Sequence, residues 1–105
     1  MRINYRLSAM LLLSLAAGHA TAQSANTLNV RSLAATCAAC HGTEGRSVNG
    51  SAIVGLAGMP RDYMLTQFKA FKDGRRPATV MHQLAKGYTD EQLDALATYF
   101  STLKH

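Results

Sequence analysis

The sequence predicts an all-α domain, on three observations. Apolar residues recur at three- and four-residue spacing in four segments, the mark of helices with one buried stripe. No stretch shows the apolar–polar alternation of a half-buried strand. The last segment opens on Thr89-Asp90-Glu91-Gln92, where a threonine cap is followed three residues on by a glutamine that can bond back to it.

The first segment, about 26–39, carries Leu28, Leu33 and Cys37 with Val30 and Ala34 alongside. Next comes a stretch rich in Gly, Ser and Asn, Gly42–Gly58, which predicts a long loop. Pro60 then opens a helix over about 61–73, with Met64, Leu65, Phe68 and Phe71 on its apolar face and Gly74 as its stop. A short helix over about 79–86 follows a Gly-Arg-Arg-Pro turn and ends at Gly87. In the last helix, Asp90 and Glu91 sit where the positive end of the helix dipole favours acids. Leu93, Leu96, Ala97, Phe100 and Leu103 continue it as one stripe.

The chain has 105 residues, enough for one small domain. Its beginning reads as an export signal rather than part of that domain. Met1, Arg2 and Arg6 form a basic start, the apolar run 7–17 follows, and Ala20-Thr21-Ala22 suits signal peptidase. A membrane span needs about 20 apolar residues, and this run meets Gly18 and His19 too soon. The expectation is a signal peptide over 1–22, a domain over 23–105 and no stable membrane insertion after cleavage. Residues 23–105 carry nine Lys/Arg against six acids, a net of +3. The cations are scattered and accompany no nucleic-acid-binding motif, so a nucleic-acid partner is not expected.

Both cysteines lie in Thr36-Cys37-Ala38-Ala39-Cys40-His41-Gly42. A disulfide between them would close a loop too short to stabilise the fold much. A structural zinc site needs four ligands, and no second Cys/His pair follows. A thioredoxin-like dithiol belongs beside a βαβ pattern, which is absent. Cys-x-x-Cys-His instead fits covalent haem attachment. Thiols three positions apart reach two vinyl groups, and His41 is then held beneath the iron as an axial ligand. A haem also supplies the large apolar body that so short a chain lacks.

With Cys37–Thr43, the Gly55-Leu56-Ala57-Gly58 stretch, Tyr63, Phe71-Lys72-Asp73-Gly74 and Arg76, the chain resembles the class I bacterial cytochromes c. The segment from Arg76 to Asp90 is similar to the cytochrome subunit of flavocytochrome c sulfide dehydrogenase. The resemblance implies a small class I cytochrome c fold, about four helices around one covalently bound haem c. It implies Met81 as the second axial ligand. The residues themselves also offer Met59, Met64, His82 and His105. Met64 has the spacing of core filler, whereas Met81 follows a helix and a turn that carry the chain to the opposite face of the haem. Many relatives have a proline before the Gly-Leu-Ala-Gly stretch whose carbonyl holds the axial histidine; here the position is Val54, whose carbonyl can serve likewise.

Histidine/methionine ligation leaves no open position on the iron. The function implied is a periplasmic carrier of single electrons, not itself an enzyme. Its partners would be electron-transfer proteins, with a sulfide-oxidising flavoprotein subunit as the expected donor. The alternatives are a free carrier to a terminal oxidase and, from another class, a haem enzyme or sensor with an open axial site. Lys69, Lys72, Arg75, Arg76 and Lys86 bracket the approach to Met81, either as a docking rim for an acidic partner or as an ordinary solvated face.

Overall fold

A computed structural model describes residues 26–105. The expected signal segment 1–22 lies outside the described residues. Among those described, every regular element is helical. They are α1 (26–35), α2 (Ala38–His41), α3 (Arg61–Lys72), α4 (Met81–Lys86) and α5 (Asp90–Thr102), with a single 3₁₀ turn at Thr43–Gly45.

α5 is the centre of the core. Thr89 Oγ1 accepts from the Gln92 N–H at 3.2 Å, and the Thr89 N–H donates to Gln92 Oε1 at 2.9 Å, completing the expected capping box. Leu93, Leu96, Ala97 and Phe100 are all buried, and Leu103 closes the stripe half-buried. Ala34 from α1, Leu56 from the loop and Met64 and Phe68 from α3 complete this core. Arg61, in the first turn of α3, reaches Asp94 and Thr98 of α5 and locks the two helices side by side. Thr89→Ala should therefore cost about 1 kcal/mol of stability, the usual loss for a threonine cap. Urea unfolding measures it; an unchanged midpoint would mean that α5 owes nothing to its cap.

The expected first helix is broken near its end. Thr36 Oγ1 donates to the Leu33 carbonyl at 2.7 Å, and the backbone N–H groups of Thr36 and Cys37 bond three residues back, to Leu33 and Ala34. A side chain that competes for a helical carbonyl and a tightening to three-residue bonds together end α1 and restart the chain as α2. Leu28, expected on the apolar stripe, is 63% exposed. It lies six residues, about 9 Å of helix, before Ala34, the α1 residue buried in the core.

The long loop is more ordered than its composition suggests. Gly42 ends α2 at φ +85°, and a side chain there would collide with the Arg46 carbonyl oxygen. Gly45 is buried at φ +72°, and a Cβ would lie 2.9 Å from both Leu56 Cβ and Phe100 Cε1. Its carbonyl accepts the N–H groups of Leu56 at 2.7 Å and Ala57 at 3.1 Å, folding the far end of the loop back beneath the core. α4 starts at Met81, two residues later than its spacing predicts, because the first helical bonds run from Gln83 and Leu84 to the Val80 carbonyl.

Candidate haem-binding site

The attachment motif lies on the joint between α1 and α2 and on α2 itself. Cys37 is half-buried and packs on the core, while Cys40 is exposed; both thiols are free. Burial pushes the Cys37 thiol above its ordinary pKa, with a smaller opposing pull from Thr36. Their spacing of three places them on neighbouring positions of one helical face, the arrangement two thioether bonds to one macrocycle require. No group of three or more His, Cys, Asp or Glu side chains able to hold a metal ion occurs among the described residues.

His41, the next residue, is half-buried. Its Nδ1 lies 2.7 Å from the Val54 carbonyl oxygen. A carbonyl only accepts, so Nδ1 carries the proton, and in the neutral ring Nε2 presents its lone pair. The bond fixes the ring's orientation. The Val54 carbonyl thus makes the contact expected of it. Ser47 supports the same loop, its hydroxyl donating to the Ile53 carbonyl at 2.7 Å.

The methionines separate by burial. Met64 is 2% exposed and enclosed by the core, with no open face to offer an iron. Met59 and Met81 are half-buried at its margin. His82, next to Met81, is half-buried, with its Nδ1 buried without a hydrogen-bond partner. Val54, Val80 and Leu84 expose large apolar side chains beside His41 and Met81, surface that a haem could cover. An open hollow of about 490 Å³ adjoins the motif, with Ala38, Ala39, Cys40, Val48 and Ser51 in its wall. Cys37, His41 and Met81 do not line it, so the donor atoms mark the site better than this hollow does.

Three of the five cations around Met81 are engaged within the protein. Lys72 Nζ donates to Asp90 and to the Tyr88 carbonyl, each at 2.8 Å, and holds the Asp90 carboxyl below its usual range. Arg75 pairs with Asp73 at 2.7 Å. Arg76 bonds to Gln67 and stacks 4.6 Å over Phe71. Of these three, Lys72 and Arg75 are paired with carboxylates, whereas the partners of Arg76 are neutral and leave its charge in place.

A family model for cytochrome c matches residues 29–104. The cytochrome subunit of sulfide dehydrogenase from Chlorobaculum tepidum is 44% identical over 71 residues, 68% of this chain and 63% of that protein. The thiosulfate dehydrogenase electron acceptor of Thiomonas intermedia is also 44% identical over 71 residues, 68% of this chain but 33% of its own length. The chain thus spans less than two thirds of either relative. Among solved structures, the cytochrome c4 of Acidithiobacillus ferrooxidans superposes with a TM-score of 0.60 at 36% identity, covering 64% of this chain and 38% of that one.

Proposed function

The chain belongs to the cytochrome c family, and on that premise we propose that it carries single electrons in the periplasm, with a sulfide-oxidising flavoprotein as donor. Its cofactor is haem c, covalently bound as in the family. In this reading Cys37 and Cys40 would form the thioethers, and His41 and Met81 would hold the iron. The observation that carries it is the 2.7 Å contact from His41 Nδ1 to the Val54 carbonyl, which leaves Nε2 free and oriented beside two free thiols.

When bound, the haem supplies a one-electron couple. The chain's own residues set its character. His41 is held in one tautomer, so ligation needs no reorientation of the ring. Met81, a soft thioether at the start of α4, favours the reduced state and raises the potential. With His41 and Met81 both holding the iron, no position would be left for sulfide, oxygen or peroxide to bind. Bond chemistry on sulfur must then occur on a partner able to take two electrons and release them singly, which is flavin chemistry.

That donor is supported by the likeness to the sulfide dehydrogenase subunit. Export is supported by the signal-like residues 1–22. Stopped-flow mixing tests the partner. Sulfide alone should reduce the haem slowly, and sulfide with the cognate flavoprotein should reduce it rapidly. Since Lys72 and Arg75 are already paired with Asp90 and Asp73, added salt should slow that reduction only modestly. If no flavoprotein of the host accelerates reduction while a terminal oxidase readily takes the electrons, the protein is a free carrier instead.

A further inference from the structure

We infer that Tyr88 is a positioning residue, its phenol clasping the arm that carries Met81 to the joint that carries Cys37 and thereby holding the methionine in place across the haem. The inference rests on the axial assignment proposed above. Thr36 Oγ1 and the Tyr88 phenol oxygen lie 2.8 Å apart, between residues 52 positions apart in the chain. The direction of the bond follows from proton counting. The Thr36 hydroxyl has one proton, and it goes to the Leu33 carbonyl. The Tyr88 O–H therefore donates and Thr36 accepts.

Thr36 directly precedes the first attachment cysteine, and its hydrogen bond to Leu33 is part of what ends α1. Tyr88 stands just past α4, separated from it by Gly87. The rest of the arm is tied to α3. At its upstream end the Arg76 N–H bonds to the Ala70 carbonyl at 3.0 Å, and the guanidinium rests on Phe71. At its downstream end Lys72 holds the Tyr88 carbonyl and Asp90. Those ties fix α4 to α3 and α5 but not to the cysteines. The Gly58 N–H also crosses, to the Phe100 carbonyl at 2.9 Å. Phe100 is ten residues along α5 from Asp90, about 15 Å of helix, so that bond restrains the opposite end. At the other end of α5, the Thr36–Tyr88 bond joins the arm to the joint that precedes Cys37.

An added ligand that displaces the methionine requires the arm to swing outward. If the clasp must open for that movement, its bond adds to the cost. Cyanide binding to the oxidised holoprotein reads this cost, followed through loss of the methionine–iron charge-transfer band. Tyr88→Phe, which removes one oxygen and keeps the ring, should tighten apparent cyanide binding about two- to tenfold, the range of one hydrogen bond of ordinary net strength. Thr36→Val should do the same, the double variant should do no more than either, and Thr36→Ser should behave as wild type. Should Tyr88→Phe lower the melting temperature and leave cyanide affinity unchanged, the residue is structural only and the inference fails. Additive effects of Thr36→Val and Tyr88→Phe would overturn it equally. Met81→Ala separates a different failure: a band that survives there sinks the ligand assignment, and the clasp's role with it.

Discussion

Replacing both Cys37 and Cys40 by serine should yield a chain that holds no haem after denaturation and is largely unfolded before it. Either single change should lose one thioether and keep the haem attached through the other. The protein's own core explains why the double loss is so severe. Two of its eight buried members, Ala34 and Ala97, are alanines, and its large side chains come mostly from α3 and α5. Val54, Val80 and Leu84 stay open to water without a cofactor to cover them. A domain this small is marginal on side-chain burial alone, and the covalent haem is what fills it. Haem staining on a denaturing gel, with far-ultraviolet circular dichroism of the same preparations, checks both halves. A double variant that is soluble and helical at wild-type levels without haem would show that the polypeptide folds on its own core.

Met81→Ala should open the iron. The reduced variant should bind carbon monoxide, which the wild type should refuse, and its reduction potential should fall as the thioether is lost. Met64→Ala should do something else entirely. Met64 is enclosed between α3 and α5, so truncating it leaves a cavity that costs about 2–5 kcal/mol with the iron still closed. Met59→Ala should also leave the iron closed. Carbon monoxide difference spectra and urea unfolding curves of the three variants separate ligand from core. Carbon monoxide binding by Met59→Ala and not by Met81→Ala would move the ligand to the chain leaving the loop.

Much of this was legible in the order of residues. The capping box at Thr89 and the stripe from Leu93 to Phe100 are local patterns, and local patterns survive into the structure. Met64 and Phe68 are buried as their spacing predicts. The attachment motif is likewise contiguous, which is why three of the four proposed haem-binding residues could be read within five positions. Long-range bonds are a different matter. Nothing in the sequence around Thr36 points to Tyr88, because a hydroxyl pair 52 residues apart leaves no periodic trace. The break in the first helix depends on whether Thr36 turns its hydroxyl back to Leu33, and its spacing alone reads as continuous helix. Gly45 looked like one more loop glycine, yet it is buried against Leu56 and Phe100, where any side chain would collide. The Val54 contact lies between these cases: the carbonyl was nameable from the resemblance, while its 2.7 Å distance to His41 required the fold.

The account turns on a closed, histidine- and methionine-ligated haem, and the visible spectrum of the purified oxidised protein tests that most directly. It should show the weak long-wavelength charge-transfer band of a low-spin ferric iron bound to methionine, and the band should vanish in Met81→Ala alone among the methionine variants. A high-spin spectrum without that band in the wild type would mean an open axial position, and the protein would be a haem enzyme or sensor rather than an electron carrier.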